Sequence, residues 1–307
     1  MRSVKIERLL IVSKRTKLED LADQYGRPDL EQLIPLLDSQ KADVSALTQE
    51  HEIHQSALAR VSQAVESLGL SVLTISVTRL RGGDFQDVDL VLSLGGDGTF
   101  VTAAHFIPAT IPLLGINSNP GGSGQRIYSL GAYTRVRADD FPSKLKALID
   151  GQEGRDYFLE TRTRMEVRIN SDPSNTCLAF AEVFIGHPLR KKNSKHILDV
   201  DGVAEEQPRT SGIIVYPAHS YGAWAKDEGA PSPPDPLGIY YRVTGILAQK
   251  YGLRGGQIRD QLTCTSSLTD GVVSVDTFFD YPFIFGQMVM VRKAEEKLAV
   301  VSFQCPE

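Results

Sequence analysis

The sequence is short of cysteine, of net charge and of long apolar runs, and each shortage removes a class of protein. Its three cysteines, Cys177, Cys264 and Cys305, are far apart, odd in number and without metal-ligand spacing. That pattern argues against a disulfide framework or a thiolate metal site and suits reduced thiols used for packing. The formal net charge is −5 over 307 residues, so no global basic field gathers the chain onto nucleic acid or anionic lipid. The first apolar run, Leu9 to Val12, is too short for a signal peptide or a membrane span. A cytoplasmic location, with neither nucleic acid nor membrane as partner, is the expectation.

What is present describes a globular protein. Hydrophobic residues make up 41% and charged residues 23%, and 26 Gly with 16 Pro imply many loops. A chain of this length exceeds one ordinary core, so two domains are expected. Leu9–Val12 reads as a buried strand opening into the polar loop Ser13-Lys14-Arg15-Thr16. From Val44 the apolar positions Leu47, Leu58, Val61, Val65 and Leu68 follow helical spacing and predict a long amphipathic helix ending near Gly69. Strands are predicted over residues 71–77, 88–94 and 111–116, with a helix over 100–106. Such alternation implies a parallel, doubly wound sheet whose ligands bind at the carboxyl ends of its strands.

This α/β domain is expected over residues 1–130. After a short helix at 140–149, β-type runs follow at 157–170, 178–185, 196–203, 212–216, 261–267 and 272–278, predicting a β-rich domain over 131–286 with the catalytic crevice between the two. Met288–Val291 and Leu298–Val301 read as a terminal hairpin over 287–307. The proline-rich stretch Ala230–Pro236 predicts an extended surface loop near the site.

The strongest chemical signal is Gly95-Gly96-Asp97-Gly98-Thr99, set between an apolar strand and a helix. Glycines there let backbone N–H groups close around phosphate. Asp97 among three glycines can approach a substrate hydroxyl or a magnesium ion, and Thr99 adds a hydroxyl donor. The bland alternative is a tight turn with an exposed aspartate.

With these residues the chain resembles the NAD kinase family, which shares the Gly-Gly-Asp-Gly-Thr signature with diacylglycerol and sphingosine kinases. Ser13–Thr16, Glu50-His51-Glu52-Ile53-His54, Gly115–Pro120, Glu182–Gly186, Ser211-Gly212 and Ala223-Trp224 look like its mitochondrial-type branch. The resemblance implies ATP-dependent phosphorylation of the adenosine-ribose 2′-hydroxyl of NAD, with magnesium as cofactor and a homodimer or higher homo-oligomer as the assembly. Asp97 would activate the hydroxyl, Gly95, Gly96, Gly98 and Thr99 would cradle the donor phosphates, and Asn117 would line the crevice floor. Lys14 and Arg15 are candidate cations, with a solvated loop as the alternative.

Three positions depart from the family pattern. Ala181-Glu182 stands where the family carries Asn-Glu or Asn-Asp, leaving Glu182 as the one polar arm on the substrate ribose. Pro217-Ala218-His219-Ser220-Tyr221 replaces the glycine-containing adenine-site loop, with His219, Ser220 and Tyr221 as candidate substrate contacts. Thr277 replaces the glycine after Asp276. A kinase of another nucleoside, nucleotide or polyol acceptor, or a noncatalytic nucleotide-binding homologue, therefore stands beside the NAD kinase reading. A lipid kinase would need an apolar entry surface, and no segment demands one.

Weaker signals have plainer explanations. His51 and His54 share a helix face and would hold a metal or, more simply, satisfy neighbouring polar groups. The basic run from Arg190 to His196 reads as a phosphate contact or a solvated turn. Trp224 reads as a base-stacking residue or a buried anchor.

Overall fold

A computed structural model describes residues 6–27, 29–39, 44–121, 128–170, 175–189, 192–276 and 278–303. The chain divides into two compact units, Met1–Glu160 with Ala299–Glu307, and Thr161–Leu298.

The first unit runs β1 (Arg8–Ser13), α1 (Lys17–Gln24), α2 (Leu30–Ser39), α3 (Val44–Ser67), β2 (Ser71–Ser76), β3 (Leu90–Gly95), α4 (Asp97–Phe106), β4 (Leu113–Asn117), β5 (Val136–Arg137), α5 (Phe141–Asp150) and β6 (Phe158–Arg162). Its sheet has the order β2-β1-β3-β4 and continues through the last strand of the chain to β6, while β5 pairs with β4. Strands β1 to β4 are parallel. From β1 the chain goes first to β2 on one side and then to β3 on the other. The order therefore reverses between β1 and β3, and their carboxyl ends, Ser13 and Gly95, flank the place where an open α/β sheet binds its ligand.

One face of this sheet is covered by α3 and α5. Leu9 and Ile11 of β1, Leu90, Leu92 and Leu94 of β3, and Leu114 and Ile116 of β4 pack with Ala57, Val61 and Val65 of α3 and Phe141, Leu145 and Leu148 of α5. The alternation of inward residues along each strand follows from its two-residue side-chain period. Because α5 closes this core, the first unit reaches residue 160 rather than 130. The helices α1 and α2 carry none of the long periodicity of α3 and were not expected. Thr16 starts α1 with a capping box: its side chain accepts from Glu19 N, and the Glu19 carboxylate accepts from Thr16 N at 2.7 Å.

The second unit contains β7 (Met165–Ile169), β8 (Thr176–Ala179), β9 (Val183–Gly186), β10 (Ser194–Val200), β11 (Val203–Thr210), β12 (Gly212–Pro217), α6 (Trp224–Asp227), β13 (Ile239–Thr244), β14 (Gly255–Ile258), β15 (Gln261–Ser266), β16 (Gly271–Val275), β17 (Phe279–Phe283) and β18 (Met288–Lys293). Two antiparallel sheets, β11-β10-β15-β18-β7-β8 and β14-β13-β12-β9-β16-β17, form it. Val167, Leu198, Leu262, Cys264 and Val289 from one meet Ile185, Ile213, Val215, Val243 and Val273 from the other in a shared core. Cys264 is thus a packing residue. On the opposite face of the second sheet, Phe184, Ile214, Tyr216 and Tyr240 pack with Ala225 and Ala230.

The expected terminal hairpin is not formed. β18 pairs with β15 and β7, whereas β19 (Leu298–Ser302) pairs in parallel with β4 through Val300 and Leu113. The charged residues 292–297 look like a hairpin turn in sequence, but they connect strands of different sheets. Residues 231–236 have no regular structure, in keeping with their prolines.

Candidate active site

At the glycine turn, β3 is buried throughout and passes directly into α4. Gly96, the residue before α4, contributes no side-chain cap, so among the described residues the N–H groups of the first helical turn are left without a capping side chain, a setting in which the helix dipole favours an anion. Space enforces the glycines. A Cβ on Gly95 would lie 2.4 Å from Thr99 Oγ1 and 3.0 Å from Lys14 Cβ, and one on Gly96 would lie 2.8 Å from Ser129 Oγ. Gly98 is exposed and Thr99 is buried.

Asp97 sits in the first turn of α4 with its carboxylate turned onto residues 132–134. Oδ1 accepts from Tyr133 N at 2.8 Å, Thr134 N at 3.3 Å and Thr134 Oγ1 at 3.4 Å, while Oδ2 accepts from Ala132 N at 2.9 Å. Asp97 is partly exposed, and its carboxylate is engaged by the backbone of residues 132–134. Asn117 lies opposite Gly95 on the adjoining strand. Its amide donates to Ser129 O at 3.1 Å and its carbonyl accepts from Asn119 N at 3.0 Å. Asp97 and Asn117 thus tie the segment around 129–134 to the carboxyl edge of the sheet. Sequence reasoning missed that segment because its donors are backbone groups, which have no residue signature. The one available clue was Gly131, which has φ +73° and approaches Asn117 Nδ2 and Thr134 O closely.

The loop after β1 is the second component of this edge. Lys14 N donates to Leu94 O at 3.0 Å, joining the loop to β3. Lys14 Nζ pairs with Glu50 of α3, and Arg15 pairs with Asp20 and Asp23. These cations are neutralised within the protein rather than left in a solvated loop. Ser13 Oγ meets His54 Nε2 at 2.9 Å and Thr16 Oγ1 meets His51 Nδ1 at 2.9 Å. Both histidines therefore serve neighbouring hydroxyls. Burial, followed by the nearby charge of Lys14, pushes the His54 pKa down to about 3. The described residues contain no cluster of three or more His, Cys, Asp or Glu suited to a metal.

Two cavities open at this edge. One of about 520 Å³ is lined by Lys14, Arg15, His51, Gln55, Thr74 and Arg79 among others. Another of about 330 Å³ is bordered by Ser56, Arg60, Asn117, Ser118 and Arg137.

In the second unit, Asp276 is fully buried in the left-handed region at φ 52°. Its carboxylate accepts from the backbone N–H groups of Phe180, Ala181 and Glu182, the shortest from Ala181 at 2.6 Å. Ser220 donates to Ala181 O from the other side. His219 contacts Thr163 O at 2.9 Å and lies 4.6 Å from the Phe180 ring, and burial lowers its pKa to about 4. Tyr221 donates to Ala230 O at 3.0 Å. His219, Ser220 and Tyr221 are therefore drawn into the unit's own structure. Glu182 borders a cavity of about 270 Å³ with Phe184, Trp224, Ser274 and Asp280. Trp224 stacks on Phe184 at 5.2 Å and packs against the cluster on that face of the sheet. Thr277, Arg190, Lys191 and Cys305 lie outside the described residues.

Residues 30–153 match the ATP-NAD kinase N-terminal domain. The human mitochondrial NAD kinase 2 is 24% identical over 257 residues, covering 71% of this chain and 57% of that protein. The NAD kinase of Chlorobium limicola is 28% identical over 174 residues, 56% of this chain and 55% of that one. The chain spans about half the length of the curated relatives it matches. A crystal structure of an NAD kinase from Archaeoglobus fulgidus in complex with ATP superimposes with a TM-score of 0.64 at 18% identity, covering 97% of this chain and 93% of that chain. That likeness is one of fold.

Proposed function

We propose that this chain is a kinase of the NAD kinase type that transfers the γ-phosphoryl group of ATP to the adenosine-ribose 2′-hydroxyl of NAD, giving NADP, a reading supported by the match of residues 30–153 to the ATP-NAD kinase N-terminal domain. The observation that carries this reading is the conjunction at one sheet edge of a glycine turn, an open helix N-terminus and the anchored carboxylate of Asp97.

Phosphoryl transfer asks a protein chiefly for alignment and for compensation of charge. Gly95, Gly96, Gly98 and Thr99 supply close backbone approach to the donor phosphates, and the α4 dipole favours their charge. Among the described residues, Asp97 Oδ1 is engaged by three donors and Oδ2 by one. An ionised carboxylate has about four acceptor positions, so Oδ2 is the oxygen with capacity for the acceptor hydroxyl and its proton. The contacts through Oδ1 hold the carboxylate in orientation meanwhile.

Magnesium enters this reading on the donor nucleotide, because one carboxylate beside a phosphate cradle is the usual provision for that ion. Bound there, it would neutralise phosphoryl oxygens. Asn117 lines the edge, and Glu182 provides the remaining polar arm of the altered substrate motif. Cytoplasmic location and assembly as a homodimer or larger homo-oligomer belong to the same reading. No helix among the described residues is long and apolar enough to cross a membrane.

The deciding experiment is conversion of NAD to NADP, and of NADH to NADPH, by purified protein with ATP and magnesium. NADP formation that is lost in Asp97→Asn is expected. Absence of product from wild type that still binds ATP would reject NAD as the acceptor.

A further inference from the structure

Lys14 is placed between two claims on its charge. Its Cβ lies against Gly95, where an added Cβ would be 3.0 Å away, and its N–H is fixed to Leu94 O. The flexible stem therefore starts at the wall of the phosphate turn. Its ammonium, however, is turned to α3 and paired with Glu50. The Glu50 side chain is 5% exposed, and its second oxygen, Oε2, has no hydrogen-bond partner among the described residues. His54, one helical turn on, is neutral because its pKa is pushed down to about 3, so it offers Glu50 no replacement charge. Such a carboxylate is a strong competitor for Lys14, since leaving it unpaired costs its full desolvation.

We propose that Glu50 is a built-in counter-ion that competes with the phosphoryl donor for Lys14: the ammonium rests on Glu50 in the free protein and passes to the donor's phosphates on binding. Glu50 thereby weakens donor binding, and it acts through Lys14 without touching the donor. This inference rests on the phosphoryl-donor site of the reading above. The ligand class it specifies is a chain of phosphates, whether carried by a nucleoside or not.

The test is calorimetric binding of Mg-ATP, and separately of inorganic tripolyphosphate, without acceptor. Lys14→Met should weaken both by about tenfold, the worth of one charge-assisted contact. Glu50→Gln, which keeps size and removes the competing charge, should tighten both by a few-fold. Lys14→Met combined with Glu50→Gln should bind like Lys14→Met alone. These opposite signs separate competition from a structural role, because a structural ion pair would lose affinity from either side. If Glu50→Gln does not fold, Glu50→Asp should shift in the same direction by less.

Weakening in both single variants, or no change in either, overturns the hand-over. NADP formation by wild type judges the functional reading separately. NADP formed with donor affinity unchanged in both variants rejects only the hand-over, whereas opposite-signed shifts without NADP reject only NAD as the acceptor. Failure of wild type to take up either probe rejects both.

Discussion

Each unit contains an aspartate that gathers backbone N–H groups, and the two differ in what surrounds it. Asp97 is partly exposed at the start of α4 and holds residues 132–134 while Oδ2 has one donor. Asp276 is sealed from solvent and spends its carboxylate on Phe180, Ala181 and Glu182. Around Asp97 the glycines provide no side-chain cap to the start of α4. Around Asp276 the side chains of Ser220 and His219 turn inward and complete the structure. The same chemical device thus leaves an unsaturated edge in one unit and a finished turn in the other.

The largest expected break in this comparison is at Asp97. Asp97→Asn should lower turnover by a factor on the order of 10² to 10⁴, measured as NADP formation. It also points an amide NH₂ at backbone donors, so a thermal melt should accompany the kinetics. If turnover is unchanged, Asp97 is an anchor only, and the contrast with Asp276 disappears. Asp276→Ala comes next: it strands three backbone donors, those of Phe180 and Glu182 buried and that of Ala181 partly so, and puts alanine at a positive φ, for a cost of about 3 kcal/mol or more. Urea unfolding measures it, with Asp276→Asn expected to fall between alanine and wild type.

Gly95→Ala should cost about 1 to 3 kcal/mol of stability through its contact with Thr99, and should weaken ATP binding as well. Loss of stability without loss of ATP binding would mean that the turn is not the phosphate site.

Acid sharpens the comparison differently, because neutral histidines are built into both units. His54 is lowered to about 3 and His196 and His219 to about 4, each mainly by burial. With folded values below the unfolded value near 6.5, their contribution is complete above that pH. As pH falls toward 4 the unfolded chain takes up protons that the fold excludes, and each histidine contributes a loss of up to about 1.4 kcal/mol per pH unit. Denaturation midpoints at pH 7.5 and 5 should show this slope, and His196→Asn should reduce it. The smallest effect is expected from Ala181→Asn, which restores the missing polar arm and should improve NAD affinity by up to about tenfold. No improvement in a folded variant would point to another acceptor.

The edge around the glycine turn was the more legible region, because a glycine turn between strand and helix states its geometry locally. Asp97, Gly95 and Asn117 were nameable from their residue types and order. The partners of Asp97 were not, since Ala132, Tyr133 and Thr134 contribute backbone donors that any sequence possesses. In the second unit, Asp276 was noticed only for its neighbour Thr277, while its role at Phe180–Glu182 depends on contacts 94 to 96 positions away. His219 and Tyr221 stand out in sequence as candidate substrate contacts, but sequence shows polarity and not that Thr163 O and Ala230 O will engage them.

Local rules were enough for β1, α3, β3 and the glycine turn, because periodicity and turn chemistry act over a few residues. They did not decide where β19 pairs or where the first unit ends. Those outcomes depend on which apolar faces meet, and strand pairing is set by partners distant in the chain. Lys14 shows both levels in one residue: sequence places a cation after β1, and only the packing of α3 puts Glu50 against its charge.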